Sequence, residues 1–355
     1  MDFLSYTYPG LESVLKKEIL NRKFKFLEIW PWFVKYSGDI STLVKANLWL
    51  RTANKVYIVL NEFKANNFDE LFNWIYEIDW HKYDILKFNL SIKPILHHSL
   101  IKSEISTQKI VQKAIYKKLW VSNHSPSILD TLEIRVDIFK NVVKVLLDTS
   151  GDPLYKRGYK LATAQASIKE TLAAWLILLV NCKNEDFVDP FCGSWTILIE
   201  KALIDLNIAP GTFRNFIFEK FNWIDPNLLK KEKWRASTRI KTKKLNFYGY
   251  DISSTAIQIA QENIKNAWLE EFIKLQVKDY LKLHLNFPFI TNPPYGKRLT
   301  GNFDHIYKKL KDDLKQVKCG WIITSYKVND EYFDLFKVRK LSNWWEWVNF
   351  FYKQN

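Results

Sequence analysis

The chain has 355 residues, room for two or three domains with cores of their own, which excludes a disordered tail or a disulfide-stapled mini-protein. Hydrophobic residues make up 47% and charged residues 26%, the balance of an ordinary globular protein. Lys and Arg number 53 against 38 Asp and Glu, and the net charge of +15 favours a polyanionic partner, most often nucleic acid.

The three cysteines, Cys182, Cys192 and Cys319, lie far apart with no C-x-x-C spacing and no clustered His, a pattern that predicts reduced thiols and no zinc site. The first residues, Met1-Asp2-Phe3-Leu4-Ser5-Tyr6, carry an acid where a signal peptide needs basic residues. The longest apolar run, Leu172 to Val180, is about half a membrane span. The expected setting is cytoplasmic, with no membrane and no obligate protein partner evident.

In chain order, helical spacing covers 11–20, and strand-like runs cover 55–60 and 88–96. A helix is predicted over 106–119, followed by alternating strands over 131–139 and 142–148. Strands on both sides of a helix suggest a small α+β module. Its helix carries Lys109, Lys113 and Lys117 on one face, either a nucleic-acid footprint or a solvated face. The turn Ser150-Gly151-Asp152-Pro153 marks a boundary, and the domains are expected at 1–155 and 156–355.

Beyond it strands and helices alternate. Helices are predicted over 168–180, 196–205, 254–267 and 303–317, and strands over 187–189, 247–250, 273–277, 287–291 and 320–324. Such repeats build a doubly wound, mainly parallel α/β sheet whose ligands bind at the carboxyl ends of the strands. The candidate site therefore lies in the loops after Asp189, Tyr250, Val277 and Thr291.

The first of these, Asp189-Pro190-Phe191-Cys192-Gly193-Ser194-Trp195-Thr196, leads into a helix N-terminus suited to a polar ligand group, or is a structural turn. Asp251, followed by Ile252, stands where a carboxylate can accept both ribose hydroxyls, or caps a helix. Asp279 can accept from an adenine amino group, or is a solvated loop acid. The most specific motif is Thr291-Asn292-Pro293-Pro294-Tyr295-Gly296, in which two prolines rigidify the backbone around one carboxamide. The Asn292 carbonyl oxygen and the Pro293 carbonyl can accept both hydrogens of an exocyclic amine, while Tyr295 offers a face for stacking a flipped base.

Together these loops resemble an S-adenosylmethionine (AdoMet) dependent class I methyltransferase that methylates amino groups. Lys156-Arg157-Gly158-Tyr159, Ile168-Lys169-Glu170-Thr171-Leu172-Ala173, Asp189 to Ser194 and Ile208-Ala209-Pro210-Gly211 look like the bacterial RlmL-type rRNA guanine-N2 methyltransferases. The N-terminal half, with Pro9-Gly10-Leu11-Glu12 and Leu50-Arg51-Thr52-Ala53, is similar to that family's ferredoxin-like plus THUMP RNA-binding region. The resemblance implies a Rossmann-like methyltransferase domain behind an α+β RNA-binding region. It implies a methyl transfer to guanine N2 in large-subunit (23S) rRNA, or a related tRNA activity, and no metal. It assigns Asp189, Phe191, Gly193 and Ser194 to the methionine end of AdoMet, Asp251 and Ile252 to its ribose side and Asp279 to its adenine. Asn292, Pro293 and Tyr295 would hold the guanine, Asn292 also facing the cofactor. Lys297 and Arg298 would meet phosphate, and the basic stretch from Lys230 to Lys244 either does the same or is a solvated insertion.

Glycine is scarce: 10 residues where roughly 25 are expected, and 15 tryptophans fill the shortfall. Trp195 and Trp268, and Trp30, Trp32, Trp344 and Trp345, stand in turn and helix-end contexts where the family pattern reads Gly, whereas Trp80 stands where it has an aromatic. Two readings follow: glycine codons translated as tryptophan, since UGA is read as either in different lineages, or a diverged, catalytically silent RNA-binding assembly factor.

Overall fold

The computed structural model describes residues 1–122, 126–160, 168–180, 182, 185–242, 245–294, 303–324, 337–343 and 346–353. The chain divides into two units, one of Met1–Leu154 with Arg214–Arg235, the other of Tyr155–Phe213 with Ala236–Asn355.

The first unit runs β1 (Asp2–Tyr6), α1 (Glu12–Asn21), β2 (Lys25–Trp30), β3 (Phe33–Ser37), α2 (Ile40–Trp49), β4 (Lys55–Lys64), α3 (Phe68–Glu77), β5 (Asn89–His97), α4 (Glu104–Lys118), β6 (Thr131–Phe139) and β7 (Val142–Asp148). Its described strands form one sheet in the order β2-β3-β1-β4-β7-β6-β5, antiparallel except for the pair β5 and β6. The even residues of β6, Leu132 to Ile138, are buried and the odd ones more open, as period-two alternation requires. Side-chain caps start the helices: Asp39 accepts from Thr42 N–H, Asn67 from Glu70 N–H and Ser103 from Ser106 N–H.

The family-like motifs of this unit do structural work. Glu18 of α1 accepts from the N–H groups of Arg51 (2.9 Å) and Thr52 (3.0 Å), and Thr7 donates to the Thr52 carbonyl at 2.9 Å. The helix α4 holds Lys109, Lys113 and Lys117 on one exposed face, and Lys117 lies over the rings of Phe72 and Tyr76 on α3.

The second unit holds α5 (Glu170–Val180), β8 (Phe187–Asp189), α6 (Thr196–Asp205), β9 (Phe247–Asp251), α8 (Ser254–Asn266), β10 (Ile273–Val277), β11 (Phe289–Thr291), α9 (Asp304–Gln316), β12 (Gly320–Thr324), β13 (Lys337–Asn343) and β14 (Glu346–Lys353), with α7 (Asn227–Ser237) between α6 and β9 in the chain. Its sheet has the order β10-β9-β8-β11-β12-β14-β13. The first five are parallel, and β14 is antiparallel to both neighbours. The order reverses between β8 and β11, the switch point where open α/β sheets bind their ligands. The expected doubly wound architecture is what the fold shows.

The chain leaves the second unit at Phe213 and returns at Ala236, and the stretch between packs with the first. Phe216, Ile217, Phe218, Phe221, Ile224 and Leu229 enter the core of that unit. Arg214 donates to the carbonyls of Ser150 (3.2 Å), Asp152 (2.6 Å) and Pro153 (2.7 Å), and Trp49 donates from its indole to Glu232 at 3.1 Å. A linear boundary at 155/156 takes no account of this excursion, because six apolar residues in the middle of one unit's sequence carry no label for the core they join.

The cysteines correct the sequence reading. Cys182 and Cys319, expected as separate reduced thiols, are joined as a disulfide with Cα atoms 6.4 Å apart, and Cys192 is free and buried. Parallel strands bring residues separated by 137 positions to one end of the sheet, which spacing cannot reveal.

Candidate active site

Each candidate loop follows the carboxyl end of one strand of the second sheet: Asp189 closes β8, Asp251 closes β9, Asp279 lies two residues past β10, and Asn292 follows β11. Asp189 is fully buried, and its Oδ1 accepts from the Thr291 hydroxyl at 2.8 Å and from the Phe191 N–H at 3.2 Å. That bond ties the first loop to the Asn-Pro-Pro loop across the switch point. Burial pushes the Asp189 carboxyl up to about 7, against the pull of these two donors and with a further push from Asp251.

Cys192, Gly193 and Ser194 form one 3-10 turn ahead of α6. A Cβ on Gly193 would lie 2.8 Å from Asp251 Oδ2, so the bare backbone is what lets the turn and the β9 carboxylate meet. Asp251 Oδ1 accepts from Ser253 N–H at 2.8 Å, while Ser253 itself caps α8, leaving Oδ2 toward the turn. Asp279 accepts from Leu281 N–H at 3.0 Å and opens a short 3-10 turn. Ile252 is 76% exposed, an apolar face beside the Asp251 carboxylate. The Phe191 ring packs 4.8 Å from that of Tyr280.

Pro293 is buried, and the Asn292 carboxamide oxygen is buried with no hydrogen-bond partner among the described residues. A buried acceptor left open costs free energy unless a donor arrives. Tyr307 of α9, which the sequence reading did not single out, braces this loop. Its fully buried hydroxyl donates to the Pro294 carbonyl at 3.4 Å and lies 2.6 Å from the Thr324 hydroxyl at the end of β12. Its only sequence signal is an apolar position on an amphipathic helix.

The adenosyl side of AdoMet fits these residues: two carboxylates on adjacent strands, an exposed apolar neighbour and a glycine approach. The loop departs at one place. Trp195 has φ 41°, is fully buried, and its indole nitrogen has no hydrogen-bond partner among the described residues.

The fold thus brings together Asp189, Phe191, Gly193, Asp251, Ile252, Asp279, Asn292 and Pro293 at one end of one sheet, with the backbone of Ser194 in the same turn. Tyr295, Lys297 and Arg298 lie outside the described residues. Lys109, Lys113 and Lys117 belong to the first unit. In the 230–244 stretch, Lys230 and Lys231 are exposed and Lys233 donates to the Arg214 carbonyl at 3.3 Å. Among the described residues no helix is long and apolar enough to cross a membrane, and no cluster of three or more His, Cys, Asp or Glu is placed to hold a metal ion.

The family described as "RMKL-like, methyltransferase domain" matches residues 157–347, and the one described as "RlmL ferredoxin-like domain" matches residues 2–57. A Bacillus subtilis (strain 168) protein, YpsC, provisionally named an RNA methyltransferase, is 35% identical over 94% of this chain and 91% of its own length. Ribosomal RNA large subunit methyltransferase K/L of Desulfotalea psychrophila is 28% identical over 95% of this chain, which spans 49% of that relative. The crystal structure of SMU.472, provisionally named a methyltransferase and complexed with SAH, superposes with a TM-score of 0.89 at 32% identity, over 100% of this chain and 98% of that one. The chain belongs to the RMKL-like methyltransferase family, with an RlmL-type ferredoxin-like domain at residues 2–57.

Proposed function

We propose that this chain is an RNA methyltransferase that uses S-adenosyl-L-methionine to methylate the exocyclic N2 of a guanine, in large-subunit rRNA, with the first unit binding the RNA. The observation that carries this reading is the buried carboxamide oxygen of Asn292, without a hydrogen-bond partner among the described residues, on a proline-stiffened loop beside the switch point. With the Pro293 carbonyl it would accept the two amine hydrogens and aim the nitrogen lone pair outward. Asp251, Ile252, Asp279 and the Gly193 turn would hold the adenosyl group, and Asp189 keeps the two loops in register through Thr291. AdoMet, when bound, supplies a methyl group on a sulfonium, and the protein's task is alignment. The RNA assignment is supported by the exposed face Lys109, Lys113 and Lys117, by the net charge of +15, and by the printed names of the ribosomal RNA large subunit methyltransferase K/L relatives.

The deciding assay is methyl transfer from labelled AdoMet to rRNA fragments. Asn292→Ala is expected to lower turnover at least a hundredfold with RNA affinity within about twofold of the parent; comparable turnover removes Asn292 from its role. Changing Lys109, Lys113 and Lys117 to Ala is expected to weaken RNA binding and flatten its salt dependence by about two in log–log slope.

A second reading, an RNA-binding chain without turnover, is favoured by Trp195, whose indole is buried in the loop that would pass the methionine end. Absence of AdoMet and SAH binding by every variant of position 195 would select it.

A further inference from the structure

Ten non-glycine residues among those described have φ in the left-handed region, and four of them are Trp: Trp32, Trp120, Trp195 and Trp268. Only a few per cent of non-glycine residues adopt such angles, and Asn, Asp and His are several-fold enriched among them. A bulky aromatic gains nothing from that conformation.

The local hydrogen bonds say which backbone motif each position serves. After α4, Val121 N–H reaches the Tyr116 carbonyl at 3.0 Å and Trp120 N–H the Lys117 carbonyl at 3.4 Å. After α8, Leu269 N–H reaches the Ile264 carbonyl at 3.1 Å and Trp268 N–H the Lys265 carbonyl at 3.0 Å. Both are Schellman motifs with the tryptophan at the left-handed position past the cap, the commonest place for glycine at a helix end. Both indoles are largely exposed, Trp120 at 88% and Trp268 at 70%, the latter meeting the Phe213 ring edge-on at 4.7 Å. Trp30 pairs with Phe33 across the two-residue turn Pro31-Trp32, and φ at Trp32 is 79°. Proline followed by about +80° is the type II turn, whose second central position calls for glycine. Trp195, at 41°, is fully buried, and its indole N–H has no partner among the described residues, the cost of an extra ring where the turn needs none.

Other tryptophans behave as tryptophans. Trp80 is fully buried and donates to the Ile75 carbonyl at 2.8 Å, and Trp74 stacks on Phe63 at 5.5 Å. Trp30, grouped with Trp32 by sequence, ends a strand with no left-handed φ, and Trp344 and Trp345 lie outside the described residues. Trp120 emerges only from the backbone.

We infer that positions 32, 120, 195 and 268 are glycine in the protein that functions, encoded by UGA codons read as glycine, and that a bare backbone at 195 completes the ligand loop. The stability part stands apart from the methyltransferase reading; the ligand part at 195 rests on it.

Thermal unfolding of the full chain tests the first part. W120G and W268G are each expected to raise Tm by about 2 °C, because glycine relieves the left-handed strain. W74G, a control inside α3, is expected to lower it by a similar amount or more. A fall of Tm in W120G or W268G overturns the inference at that position. Codon identity is the second arm: UGA at all four positions is expected, and UGG at any overturns it there, as does a tryptophan-containing peptide mass from the protein's own cells. For the ligand part, W195G is expected to bind SAH at least tenfold more tightly than the chain as written. Equal, measurable affinity overturns the role at 195. Binding by neither overturns that role and the AdoMet reading together, while the Tm and codon arms still decide the glycine identities.

Discussion

The carboxyl group of Asp189 joins two loops that are 102 residues apart in the chain, and it does so from a fully buried position. Burial pushes it up to about 7 from an ordinary value of 3.8, so its protonated form is the one the fold favours. The stability this adds is complete below pH 4 and is lost as the pH rises through about 7. Asp189→Asn keeps an acceptor for Thr291 and Phe191 without the charge. It is expected to match the parent's stability at pH 4 and exceed it by a few kcal/mol at pH 8, read by urea unfolding at the two values. A constant difference across that range would mean that Asp189 does not titrate in it. Asn292 was legible because Pro293 and Pro294 announce a rigid loop at a strand end. Thr291 was present in the same motif, but its partner, and so its purpose, was not. Gly193 likewise reads as a loop glycine, and only its closeness to Asp251 explains it.

At the scale of elements, the motif Lys156-Arg157-Gly158-Tyr159 shows its role only in the fold. Arg157 is buried against α6, with Nε 3.2 Å from Glu200 Oε1, and Tyr159 donates to the same oxygen at 3.2 Å. A motif that the sequence offers only as part of the family resemblance is thus an interior ion pair of the second unit. Glu200→Ala would remove the carboxylate that accepts from the buried Arg157 guanidinium, and is expected to cost about 3–5 kcal/mol, measured as the loss of unfolding free energy. Arg157→Met with Glu200→Leu is expected to lie well above that single variant, since no charge is left unpaired. Helices and strands with strong periodicity, such as α4, α6, β6 and β12, sit within about two residues of their expected bounds. The elements that the pattern did not mark include β1, β2, β3, α2, α3 and α7: the strands have five or six residues, and α2 and α3, though as long as α1 and α6, gain their place from the sheet they cover.

For the whole molecule, the excursion 214–235 is the decisive feature. Its six core residues bring apolar burial on the order of 10 kcal/mol to the first unit, comparable to the net stability of a domain. A fragment of residues 1–154 is therefore expected to lack fixed tertiary packing, seen as lost near-ultraviolet dichroism and bound ANS, and residues 214–235 joined by a flexible linker to restore it. A natively packed 1–154 fragment would show that the segment is an accessory.

What the sequence determined by itself was everything carried by local pattern: βα alternation implies a parallel sheet, a parallel sheet puts its ligands at strand ends, and a double proline there fixes a carboxamide. The surplus of tryptophan over glycine was also visible as arithmetic. The tertiary structure alone decided what depends on meeting: the Asp189–Thr291 bond, the Cys182–Cys319 pair, the Arg157–Glu200 pair and the unit to which 214–235 belongs. It also decided which tryptophans occupy glycine conformations, because the sign of φ is set by the turn or helix end that the rest of the fold imposes, and no residue name carries it.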